Sequence, residues 1–94
     1  MSKLILNTQM QEMPLGKGEG TVMYDPDTEN THILDDVALD IINLFREAAS
    51  AEEVIEKLLE IYDASREKLE KDVLEFVKEA EANRILLPYE SADI

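Results

Sequence analysis

Apolar positions along this chain keep two different periods. Up to Leu34 they fall in short β-compatible runs, Thr21-Val22-Met23-Tyr24 and Thr31-His32-Ile33-Leu34, with a weaker run at Thr8–Met13. Turn-rich clusters, Leu15–Thr21 and Asp25–Thr31, divide the runs and hold all three glycines. Short runs separated by such clusters predict a three-stranded antiparallel meander, the second turn having hairpin spacing.

From Asp35 the period becomes 3.6 and three helices are predicted. Asp35 N-caps the first, with Asp36 favourable in its first turn. Its stripe is Val37, Ala38, Ile41, Ile42, Phe45, Ala48 and Ala49, widened by Leu39 and Leu44. Ser50-Ala51-Glu52-Glu53 is a capping box that starts the second. Val54, Ile55, Leu58, Leu59, Ile61 and Tyr62 form its buried side. Ser65 caps the third, which turns Leu69, Val73, Phe76, Val77 and Ala80 to one face and leaves Leu74 off it. Asn83 suits a left-handed C-cap, Ile85-Leu86-Leu87 an extended piece docked on the core, and Pro88 its end. The expected fold class is α+β: an N-terminal three-stranded antiparallel sheet, then three helices like those of a winged helix-turn-helix. The expected domain is 1–88, with a flexible tail over 89–94.

Charge narrows the partners. Net charge is −13, and residues 35–94 hold seventeen of the 22 acidic side chains against seven basic ones. The third helix, where a winged helix would meet DNA, has six acids and four bases over 66–83. Phosphate backbones need clustered Lys and Arg, so nucleic acid and anionic membranes are both disfavoured. No apolar run is long enough to span a bilayer and no signal pattern opens the chain, which gives a cytoplasmic expectation. Cysteine is absent, which removes disulfides and thiolate metal sites.

Candidate chemistry is sparse. His32 is the single histidine, without a Cys, Ser or second His near it in sequence. Asp25-Pro26-Asp27-Thr28-Glu29-Asn30 alternates oxygen ligands but has Asn30 where a calcium loop needs glycine, and reads as a polar hairpin turn. Gly16-Lys17-Gly18-Glu19-Gly20 fits neither phosphate-binding fingerprint. No spacing singles out two carboxylates as an acid–base pair. The reading is a non-enzyme with no catalytic residue, metal site or cofactor.

The ordered segments resemble the PqqD-like family, the recognition elements of ribosomally made, post-translationally modified peptides. The resemblance rests on Leu34-Asp35-Asp36-Val37-Ala38 after a strand, Ser50-Ala51-Glu52-Glu53-Val54, Tyr62-Asp63, Asp72-Val73-Leu74-Glu75-Phe76 and Ile85-Leu86-Leu87. It covers roughly residues 20–88. Asp35 replaces the family's usual Asn, and Asn83-Arg84 its usual Gly. The resemblance implies binding of a precursor's leader peptide by strand addition, for presentation to a maturase, a radical-SAM or other tailoring enzyme. It implies a site on the edge Thr31, His32, Ile33, Leu34 and on the third helix at Leu69, Asp72, Val73, Phe76, Val77 and Ala80. Lys68, Lys71 and Lys78 would then meet acidic leader residues. The alternatives are a winged-helix DNA-binding protein and a structural adaptor; the expected state is a monomer or a weak dimer through the edge strand.

Overall fold

The computed structural model describes residues 3–16 and 18–89. Its elements are β1 (Lys3–Leu6), β2 (Gln11–Gly16), β3 (Gly20–Tyr24), β4 (Thr31–Leu34), α1 (Asp36–Asn43), α2 (Ala51–Ile61), α3 (Arg66–Ala82) and β5 (Leu86–Tyr89). The meander is present as an antiparallel sheet in the order β2-β3-β4, followed by the three helices. Its first strand lies later than Thr8–Met13, because Asn7 folds the chain into a turn at that point. The Asn7 side chain accepts from Gln9 N–H at 3.0 Å and its carbonyl from Met10 N–H at 3.1 Å.

A second, two-stranded antiparallel sheet was not anticipated. β1 pairs with β5 from Lys3↔Tyr89 to Leu6↔Leu86. Leu4, Leu6 and Leu86 enter the core from this ladder. The extended piece expected at Ile85–Leu87 is therefore a strand that runs through Pro88 to Tyr89. Pro88 is tolerated because β5 is an edge strand and Leu4, its partner, sends its own N–H to Ala49 C=O on the other side of β1, so the missing N–H breaks no ladder bond. Beyond Tyr89, the tail expected over 89–94 lies outside the described residues.

Two helix expectations need correction. α1 stops at Asn43, short of Ala48 and Ala49. Leu44 and Phe45 N–H bond three residues back, to Ile41 and Ile42 carbonyls, which tightens the last turn. The next segment gives its backbone to β1: Leu6 N–H donates to Phe45 C=O at 2.8 Å, and Leu4 N–H to Ala49 C=O at 2.7 Å. Tertiary pairing here overrides an unbroken helical stripe. Ile61, assigned to the buried side of α2, is 66% exposed, because α2 ends there and Tyr62 leaves the helix in an extended conformation.

The N-caps form as the sequence predicts. Asp35 accepts from Ala38 N–H at 2.8 Å. Ser50 and Glu53 make the reciprocal capping box, and Ser65 accepts from Lys68 N–H at 3.2 Å. One core joins all layers, with Met23 from the sheet, Ile42 and Phe45 from α1 and its end, Leu58 from α2, Val73 from α3 and Leu86 from β5 almost fully enclosed.

Gly20 sets the spacing of the sheet. It is buried at φ +91°, and a Cβ there would stand 2.6 Å from the Leu34 carbonyl oxygen on β4. Gly18 has φ +79° but faces open space. Both share the backbone penalty of a side chain in this region, and only Gly20 adds a collision. Gly20→Ala should lower unfolding free energy more than Gly18→Ala, by on the order of 1–3 kcal/mol in denaturant titrations.

Candidate functional site

The two edges of the three-stranded sheet are unlike. β2 carries three features that discourage pairing. Pro14 has no N–H to offer. The register shifts between Pro14 and Gly16. Glu12 lies on the same side of the sheet as buried Met23, its ladder partner, and Arg46 holds it through two hydrogen bonds of 2.7 and 3.0 Å. β4 is Thr31-His32-Ile33-Leu34, with no proline, no bulge and no charge. Among the described residues it pairs only with β3, from Thr21↔Leu34 to Tyr24↔Thr31.

Beside this open edge runs a groove of about 350 Å³, closed on its far side by α3. Thr31, His32, Ile33 and Leu34 form one wall. Phe76, Glu79, Ala80 and Asn83 form the other, at helical spacing, and Ile85 also lines it. Buried Ala80 and Ile85 and half-buried Phe76 make it apolar at depth, while exposed Glu79 and Asn83 give polar groups at the rim. His32 Nε2 is buried in this wall without a hydrogen-bond partner among the described residues. Such a group costs stability in the protein.

The structure divides the predicted helix residues. Phe76 and Ala80 meet the four β4 residues in the groove. Val77 is 6% exposed and belongs to the core. Leu69, Asp72, Val73 and Lys68 line a separate, strongly apolar hollow of about 220 Å³ with Val37, Ile41, Leu58 and Tyr62. Tyr62 closes one side of it and donates its hydroxyl to Asp40. Lys68 also lies 3.8 Å from Asp72 in an i,i+4 pair. Lys71 shares a shallow surface with Lys68, Asp72 and Ser65, and Lys78 is exposed. None of these lysines lines the groove; its charged residue is Glu79. Glu79, Asn83 and Ile85 were missed by sequence reasoning. The signal was available, since 76, 79, 80 and 83 follow one helical stripe, but Glu and Asn are polar and a search for apolar positions passes over them.

What fixes the groove's width at its Thr31 end is the end of α3. Asn83 keeps φ −96°, and the left-handed residue is Arg84 at φ 62°, one position later than expected. Ile85 N–H donates to Ala80 C=O at 2.8 Å and Arg84 N–H to Glu81 C=O at 3.2 Å, the two bonds of a Schellman cap. Glycine is usual there, but the Arg84 side chain has a task. Its Nε lies 3.5 Å from Asp25 and its Nη2 3.2 Å from Asp27, on the turn that leads into β4. Asn7 closes the junction, its Nδ2 donating to Arg84 C=O at 2.9 Å.

Asp25 has no exposed surface. Burial pushes its carboxyl up. N–H groups of Asp27 and Thr28, the Thr28 hydroxyl and Arg84 outweigh that and hold it below its ordinary value of 3.8.

The family model described as coenzyme PQQ synthesis protein D (PqqD) matches residues 20–86. The chain belongs to the PqqD family. The match begins at β3, so the β1 and β2 segments lie outside it. Two solved structures share the PqqD-like fold. One, described as TbiB1 in complex with the TbiA(beta) leader peptide, is 20% identical with a TM-score of 0.75, over 93% of this chain and 99% of that one. The other, described as lasso peptide synthetase B1 complexed with the leader peptide, is 22% identical with a TM-score of 0.73, over 90% and 98%. Among curated proteins, none matches this PqqD-family chain.

Two outcomes test the junction. Arg84→Ala keeps the left-handed strain and strips Asp25 of its cation, whereas Arg84→Gly removes the strain as well. Arg84→Gly should therefore be the more stable of the two, by roughly 1 kcal/mol in denaturant titrations. Because the Asp25 pKa is depressed by folding, its contribution is complete above 3.8 and is lost as the pH falls through the lower folded value. Asp25→Asn should flatten that part of the acid limb in a stability-against-pH profile.

Proposed function

We propose that this protein binds the leader segment of a ribosomally made precursor peptide by strand addition to β4, and presents it to a modifying enzyme. One observation carries the reading: of the sheet's two edges, β2 is guarded and β4 is open against a lined groove. An extended peptide entering there finds main-chain N–H and C=O groups on one side and the α3 stripe on the other. The ladder supplies affinity without regard to sequence, and the groove reads alternate side chains. Membership of the PqqD family supports this function, and both similar solved structures are described as leader-peptide complexes.

The peptide's side chains directed at α3 meet Phe76, Ala80 and Ile85 at depth and Glu79 and Asn83 at the rim. That favours a leader with apolar residues at alternate positions and neutral or basic ones near Glu79. The partner enzyme is a tailoring enzyme of the same biosynthesis, a radical-SAM maturase being one such class. The protein itself supplies recognition and no chemistry. A DNA-binding role has no support in the charge of α3.

Titration calorimetry with leader peptides encoded near this chain's gene tests the proposal. Wild type should bind one of them, and absence of binding to all of them, with and without the enzyme, would refute it. Glu79→Trp fills the groove from an exposed position, so it should lower affinity at least tenfold, about 1.4 kcal/mol, without loss of fold. Lys78→Trp, on the neighbouring exposed position, should change it less than twofold. Lys71→Glu examines the lysines directly. A fall in affinity for an acidic leader would place them in contact with it, and no change would confine the site to the groove.

A further inference from the structure

The side of the three-stranded sheet turned away from the core meets the groove only at its β4 edge, through Thr31 and Ile33. Thr21, Met23 and Leu34 are buried on the inner side, so strand alternation and register turn Gln11, Met13, Val22, Tyr24, Thr31 and Ile33 outward. None of these six is charged, although 33% of the chain is. Met13, Val22 and Ile33 are cross-strand partners in a single row. Met13 is 63% exposed and Ile33 69%, and Leu15 at the end of β2 is 42% exposed. Acids stand at both ends of the strands: Glu19, Asp35 and Asp36 at one, and at the other Glu29 beside Asp27, which Arg84 pairs. An exposed apolar row with a polar border marks an interaction surface.

We propose that this outer face docks the modifying enzyme, through an apolar strip on the enzyme flanked by Lys or Arg, and that the bound leader completes the surface. The inference rests on the groove reading. A peptide strand beside β4 alternates its side chains. Those turned away from α3 extend the Met13–Val22–Ile33 row by one more strand. An enzyme seated on that row touches carrier and peptide together, so it binds the loaded form more tightly than the empty one. The acidic ends select a partner with basic flanks. They oppose a second copy of this chain, since two such faces would bring like charges together on molecules of net charge −13.

The test uses the full chain, a synthetic leader that it binds, and the purified tailoring enzyme encoded beside its gene. Met13→Lys puts a charge into the row on β2, two strands away from the peptide. Calorimetry should show leader affinity unchanged within twofold and enzyme affinity for the loaded chain reduced at least tenfold. Wild type should bind the enzyme more tightly with leader than without. Leu15→Lys serves as the second variant if circular dichroism shows Met13→Lys unfolded. Normal enzyme affinity in these variants overturns the docking proposal and leaves leader binding standing. Failure of wild type to bind any leader overturns the groove reading instead. Light scattering that reveals a wild-type dimer dissolved by Met13→Lys assigns the face to a second copy and also overturns the proposal.

Discussion

The groove depends on the way Arg84 locks the end of α3 to the turn before β4. Without that lock, β4 would be tied to the helical layer chiefly through Leu34 and the start of α1. Arg84 accepts a left-handed backbone, closes the Schellman cap and reaches Asp25 and Asp27 with the same side chain. Asn7 adds the N-terminal segment to the junction through the Arg84 carbonyl. Asp25 is fully enclosed, and N–H groups of Asp27 and Thr28 hold its carboxylate together with Arg84, so losing Arg84 removes one of several compensating groups. The outcome is mechanical. Thr31 and Asn83 are held across a gap that is not filled by protein.

An unfilled gap beside a free strand is a hazard as well as an opportunity. Unpaired N–H and C=O groups will take any extended chain, including another copy of the protein. β2 answers that hazard with Pro14, a register shift and an inward carboxylate held by Arg46. β4 has none of these and is shielded only by its setting in the groove. The strong negative charge protects the whole molecule by self-repulsion, which leaves the open edge available to a peptide. Affinity at the edge comes from backbone groups that every peptide has, so discrimination falls to the α3 stripe and to whatever reads the outer face.

Much of this was legible in the chain itself. Ser50-Ala51-Glu52-Glu53 and Ser65 placed the helix starts, because a cap is a local hydrogen bond between residues a few positions apart. The change of period at Asp35 separated sheet from helices for the same local reason. The family resemblance implied the edge Thr31–Leu34 and, among other α3 residues, Phe76 and Ala80, and these line the groove. Leu69 and Val73 share the stripe of Phe76, and periodicity alone could not tell which turns of α3 lie beside β4 and which beside α1 and α2.

What escaped the sequence was non-local. β1 is four residues long and its partner lies at the other end of the chain, so nothing near Lys3–Leu6 announces the pairing. That ladder then draws the backbone after Asn43 out of a helix its side chains would support. Arg84 in place of Asn83 as the left-handed residue was decided by Asp25 and Asp27, more than fifty positions earlier. Local hydrogen bonding and burial periodicity, readable from neighbours, determined which elements form and where most begin. The gap between β4 and α3 was decided by contacts between residues remote in sequence, whose energies exist only once the layers have met.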